Sequence, residues 1–190
     1  MLKRYMFLGY SDDKNFVSNN SEGIERLSVH ACDNKIIMYF ESENESINPD
    51  DVVSGNLKPF PDGSHWMRMG EIYHSSKPLS REHWERKIAD KTPYVQIMYL
   101  KDDKIGSYVF NHYRYQEELP GDGDKYGVIF LLGNFMAFYL ENPCEIDLLA
   151  KGTLKTADTP YQDWGNIMNE HFKPWGNEEK VFWKKIERVL

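Results

Sequence analysis

The chain has 190 residues, with 23 Lys and Arg against 30 Asp and Glu, a formal net charge of −7 and 14% aromatic residues. That length predicts a single domain over residues 1–190 whose core needs no disulfide staple, and the aromatic content argues against disorder. The negative sign and the lack of a Lys/Arg stripe exclude nucleic acid as a natural partner, and no apolar stretch approaches the roughly 18 residues of a membrane span.

Residues 1–10 carry two early positive charges and a short apolar run, which Tyr5 and Gly9 interrupt. Residues 3–10 are therefore expected as a first strand and not as a signal peptide. A polar segment of undefined structure leads to a second strand over 35–42, which reads Lys-Ile-Ile-Met-Tyr-Phe-Glu-Ser. Residues 41–64 are linker-like, rich in acidic, Asn, Ser, Gly and Pro residues. Inside them, Asn48 as cap, Pro49 at the first helical position, and Asp50 and Asp51 at the positive end predict one helical turn closed by Gly55.

Residues 65–74 predict another strand. Alternation places Glu71 with His65, Met67, Met69 and Tyr73, and sets Trp66, Arg68, Ile72 and His74 on the other face. A carboxylate desolvated among thioethers and aromatic rings has a raised pKa, which suits a general acid or base. A structural ion pair between Glu71 and a nearby Arg is the commoner use of the same residues. Ser80 is placed to cap a helix over 81–91, with Leu79 and Trp84 as a hydrophobic staple.

Most of the apolar mass lies in residues 93–141, which read as two hairpins. Residues 94–100 are expected to pair with 105–111 across Lys101-Asp102-Asp103-Lys104. Residues 126–132 pair with 135–140 across Gly133-Asn134, where Gly at the first central position suits a type II′ turn. On this reading the second strand ends in Asn111-His112-Tyr113-Arg114-Tyr115, with His112 and Arg114 on the face of Tyr108 and Phe110. Asn111, Tyr113 and Tyr115 share the other face. Such a strand end can form the polar floor of a pocket, because His titrates near neutrality and Arg forks onto a carboxylate or phosphate. A strand leaving the core would look equally polar.

Gly121-Asp122-Gly123-Asp124 lacks the ligand series of a calcium loop and reads as a solvated turn. Thr159, Pro160 and Gln162 open a helix with Tyr161, Trp164, Met168 and Phe172 on one face, ended by Pro174. Asn177 then caps a last helix, with Glu178 and Glu179 in its first turn and Phe182, Ile186 and Val189 on its apolar side. Trp175, in the turn between them, is the tryptophan expected at the surface and a candidate interface anchor. The whole predicts an α+β fold: a mainly antiparallel sheet built from hairpins, with two C-terminal helices and one central helix packed on it. No internal repeat is visible.

No nucleotide-binding, hydrolase or metalloprotease signature is present, and the six His lack ligand spacing, so neither metal nor cofactor is expected. Cys32 and Cys144 are too few and too distant for a disulfide framework; reduced thiols in a cytoplasmic protein are the expectation. Function divides between two main readings. The first is a non-catalytic, acidic protein-interaction or inhibitor/immunity-type module, whose charge would steer a basic protein toward it. The alternative is a small-molecule-binding protein or enzyme with a pocket lined by Glu71, His112, Tyr113 and Arg114. A structural subunit, betrayed by a large exposed apolar patch, is a third.

Overall fold

The computed structural model describes residues 1–154, 163–176 and 182–190. In chain order its first half contains β1 (Lys3–Tyr10), β2 (Val17–Ser18), β3 (Glu25–Cys32), β4 (Lys35–Ser42), β5 (Val53–Ser54), β6 (Met67–Arg68), β7 (Gly70–His74) and α1 (Arg81–Trp84). There follow β8 (Thr92–Leu100), α2 (Ile105–Glu118), β9 (Val128–Leu132), β10 (Phe135–Asn142), α3 (Trp164–Asn169), β11 (Phe172–Lys173), β12 (Lys184–Lys185) and β13 (Glu187–Arg188). Among the described residues, two antiparallel sheets run β13-β3-β4-β1-β6 and β11-β8-β10-β9-β7, with β12 also on β8 and β2 pairing β5 apart from them.

The central strands are apolar on both faces, which is why Ile36-Ile37-Met38-Tyr39-Phe40 shows no polar alternation. The sheets pack face to face through Met6, Leu8 and Ile37 from one and Val95, Ile97 and Phe130 from the other. Phe7, Met38 and Phe40 on the outer face of the first sheet lie under Phe16, Val52 and Trp66 from its connecting segments. On the second sheet, Met98, Ile129 and Met136 are covered by Tyr108 of α2 and Met168 of α3. Each such side chain contributes about 1.5–3 kcal/mol on full burial.

The two sheets share a plan that the sequence hides. The trios β3-β4-β1 and β9-β10-β8 have the same order and matching registers. Cys32 opposite Lys35 and Leu132 opposite Phe135 flank two-residue turns, and Lys3–Ser42 and Thr92–Asn142 close the far ends. The first turn residue has positive φ in both, 53° at Asp33 and 59° at Gly133, as two-residue hairpins require. Asn34 and Asn134, Tyr39 and Tyr139, and Glu41 and Glu141 occupy equivalent places. These matches are too few to read as a repeat.

The equivalent residues meet in the core. Tyr39 donates to Glu41 Oε1 at 2.9 Å, Tyr139 donates to Glu141 Oε1 at 2.8 Å, and the two phenol rings stack 3.6 Å apart. Arg86, from the segment joining the halves, reaches both carboxylates, with Nη2 2.6 Å from Glu41 Oε1 and 2.7 Å from Glu141 Oε1. Trp84 Nε1 donates to Glu41 Oε2 at 3.0 Å. Burial alone would depress the Arg86 pKa, but its bonds to the two carboxylates outweigh that and raise it. Burial drives the phenols of Tyr39 and Tyr139 well above their ordinary value, which keeps them as donors.

The mainly antiparallel α+β character is as expected; the helix arrangement is not. Among the described residues the one long helix, α2, lies mid-chain, where a strand pairing with β8 was expected, and β8 pairs along its length with β10 instead. Ile105, Tyr108 and Tyr115 recur at helical spacing and pack on the second sheet, so tertiary packing overrides their strand propensity. Asp102 and Asp103 form a lead-in 3₁₀ turn and not a hairpin loop. Ser80 caps α1 as expected, accepting from His83 N at 3.0 Å, but the helix ends at Trp84 because Glu85 turns extended and sends Arg86 inward. Asn48 caps a 3₁₀ turn over Pro49–Asp51, also as expected.

The expected helix start at Thr159–Gln162 and the cap at Asn177 lie outside the described residues. Beyond them no C-terminal helix forms over 184–188. That segment is extended, β12 pairing with β8 and β13 with β3, because both sheet edges offer backbone groups that a helix could not satisfy. Only Ile186 of the expected apolar side is buried in the inter-sheet core.

Loss of Arg86 would leave two carboxylates together in a dry interior. Arg86→Ala is therefore expected to cost about 3–5 kcal/mol in urea denaturation, and adding Glu41→Gln and Glu141→Gln should recover part of it. A loss below about 1 kcal/mol would show that the cluster does not hold the sheets together.

Candidate ligand-binding site

Where α2 and α3 cover the second sheet, their aromatic residues leave a gap. The cavity is about 350 Å³, at the small end of ligand sites. Its walls form a closed circuit of rings. Tyr73 meets Phe138 (6.5 Å between centroids), Phe138 meets Trp183 (5.6 Å), and Trp183 meets Phe172 (5.9 Å). Phe172 meets Tyr108 (5.7 Å), Tyr108 meets His112 (4.0 Å), and His112 returns to Tyr73 (5.4 Å). Trp164 lies 5.0 Å from His112 and 4.4 Å from Tyr115, extending the wall. These residues come from β7, α2, β10, α3, β11 and the stretch before β12, so strands and helices are all needed to assemble them.

Asp122, His112 and Asn169 break the aromatic surface. The exposed Asp122, in the turn after α2, lines the cavity and accepts a short hydrogen bond from the Tyr115 hydroxyl. His112 is 6% exposed, and its Nδ1 lies 3.1 Å from the Tyr108 carbonyl, one helical turn back. A carbonyl can only accept, so Nδ1 carries the proton and Nε2 is left as an acceptor with no hydrogen-bond partner among the described residues. Burial lowers the His112 pKa from 6.5 to about 4, so the ring is neutral at pH 7.

The four residues singled out from sequence do not share this cavity. Strand alternation would have kept His112 and Arg114 on one face; on α2 consecutive side chains point about 100° apart. Only His112 lines the cavity. Tyr113 stands 47% exposed, and Arg114 donates to Glu118 Oε1 at 3.0 Å along the helix. Glu71 lines a separate depression with Arg4 and Lys77. Arg4 Nη2 lies 2.8 Å from Glu71 Oε1 and His74 Nδ1 2.9 Å from the same oxygen. Burial pushes the Glu71 pKa up, but Arg4 and His74 outweigh it and hold the carboxyl below its usual range. The raised pKa expected of a general acid is thus corrected to a structural ion pair.

Trp175 is not the exposed anchor expected. It is half-buried, edge-on to Tyr99 at 5.4 Å, with Nε1 donating to the Phe182 carbonyl at 3.0 Å. Other polar clusters serve the frame. Asp147 binds His83 Nε2 at 3.0 Å and accepts from Ser76, and His171 Nε2 lies 2.8 Å from Ser107 Oγ. Cys32 and Cys144 are both free thiols. No group of three or more His, Cys, Asp or Glu among the described residues is placed to hold a metal ion, and no helix is long and apolar enough to cross a membrane.

The His112 environment has a consequence for stability. Its pKa is lower folded than unfolded, so at neutral pH the ring is uncharged in both states. As pH falls from 6.5 toward 4 the unfolded chain takes up the proton first, and stability is lost. Buried His30, lowered to about 3, acts in the same sense. Between pH 7 and pH 4.5, His112→Gln should shrink the fall in unfolding free energy by about 2–3 kcal/mol. An unchanged fall in urea melts would show that His112 is not held neutral in the native state.

No protein-family model, curated protein or solved structure matches this chain, so its function rests on the geometry above.

Proposed function

We propose that this protein is a binding module and that the aromatic cavity beneath α2 and α3 is its receptor. The observation that carries this reading is the closed circuit of rings around about 350 Å³, broken by polar side chains, Asp122 and His112 among them, that can orient a guest. A space of that size suits a small molecule or one projecting side chain of a larger partner. The candidate acid–base residues support binding over catalysis, since Glu71 and His112 lie in separate cavities and Glu71 is engaged by Arg4 and His74.

Gly165 provides the test. It lines the cavity, and a Cβ added there meets nothing within 4 Å. Gly165→Leu should fold at least as stably, given the better helix propensity of Leu, while adding a branched side chain to the cavity's lining. Small-ligand screening by thermal shift and tryptophan fluorescence should yield ligands for the natural chain that Gly165→Leu no longer binds. Ligands bound equally by both would place binding elsewhere and defeat the proposal.

A second reading, an acidic inhibitor-type module for a basic protein, draws on one further observation. Phe110 and Tyr113, 59% and 47% exposed, lie one turn apart on the outer side of α2 in a chain of net charge −7. Association with such a partner should slow markedly between low salt and ~0.5 M salt and weaken in Phe110→Ala. A salt-independent rate would count against steering by charge.

A further inference from the structure

The chemistry of the cavity wall narrows the guest. Ring faces carry negative potential and attract cations, most strongly where water is excluded. Among the described residues the only charged side chain lining the cavity is Asp122, a carboxylate. The buried imidazole adds no positive charge, because burial disfavours its protonated form, and with Nδ1–H on the Tyr108 carbonyl it presents Nε2 as a lone-pair acceptor. The Tyr115 hydroxyl is directed at Asp122 and holds that carboxylate beside the rings. The carboxylate and the lone pair, set in an aromatic wall, favour one kind of visitor, a positively charged group that also donates hydrogen bonds. An anion would meet the Asp122 carboxylate, which repels it. A neutral apolar guest would leave His112 Nε2 without a donor.

Resting on the binding reading above, we infer that the cavity takes a protonated organic amine, its ammonium group seated among Tyr73, His112 and Trp164 and directed toward Asp122. The shared chemistry is an alkylammonium with at least one N–H, supplied by a free small amine or by the lysine side chain of a partner. The acceptor at His112 Nε2 sets this guest apart from a quaternary ammonium, which could use the ring faces but could not donate to it.

Four probes on the whole chain test the assignment by calorimetry and tryptophan fluorescence at pH 7. They are benzylammonium, its neutral analogue benzyl alcohol, benzyltrimethylammonium, and N-acetyl-lysine methylamide. Benzylammonium is expected to bind about tenfold more tightly than benzyl alcohol and more tightly than benzyltrimethylammonium. Asp122→Asn, at an exposed turn position, should remove most of that preference. Tighter binding of the lysine derivative than of benzylammonium would support the inference with a partner's lysine as the source; the reverse would support it with a free amine. Equal or tighter binding of benzyl alcohol, lost in Gly165→Leu, would overturn the amine assignment and leave the cavity as a receptor. Failure of all four probes to bind would overturn both.

Discussion

Two carboxylates lie in the interior of this protein with one guanidinium between them, and the architecture is organised around keeping that charge satisfied. Glu41 and Glu141 are contributed by equivalent strands of different sheets, and Arg86 by the segment that connects the halves. Separation of the sheets would strand at least one carboxylate without its cation, and the penalty for an unpaired buried charge exceeds that of losing a few apolar contacts. The tyrosine stack and the Trp84 indole complete the coordination, so each carboxylate oxygen has a donor. Such a cluster fixes the sheets' relative placement more sharply than interchangeable aliphatic side chains do.

Around this centre the molecule is nearly symmetric, and what breaks the symmetry is informative. Between the first strand and the hairpin, one half carries an irregular segment with β2, while the other carries α2. The irregular segment and its neighbours seal the outer face of the first sheet with Phe16 and Trp66. The helix covers its sheet together with α3, and their aromatic side chains do not fill all the volume above it. The cavity is the space they leave. The site is thus a property of the asymmetric insert upon a shared frame, in keeping with the general tendency of function to reside in what is grafted onto a fold.

Features decided within a few residues were legible in the sequence. The caps at Asn48 and Ser80 and the two-residue turn at Gly133-Asn134 depend on local hydrogen bonding and on φ at one position. Features decided by distant partners were not. Ile105, Tyr108, Val109 and Tyr115 favour strand in isolation, and only the sheet beneath them selects the helix. The strand β3 is hidden in the sequence because Ser28 and His30, both fully buried, break its apolar run. The site followed the same rule. His112 stood out through its chemistry, whereas Tyr73, Phe138 and Trp183 are ordinary core residues until the fold brings them together. The surplus of aromatic residues was visible; their convergence was not.

The C-terminal strap joins these themes. Ile186 N donates to the Val95 carbonyl, and β12 and β13 close the open edges of both sheets. Trp183, one residue before β12, forms part of the cavity wall. Local unfolding of the strap would therefore expose two sheet edges and open the aromatic cavity in one event. By linkage, any guest resting against Trp183 would hold the strap closed, and occupancy of the cavity would then set how often the β3 and β8 edges meet solvent.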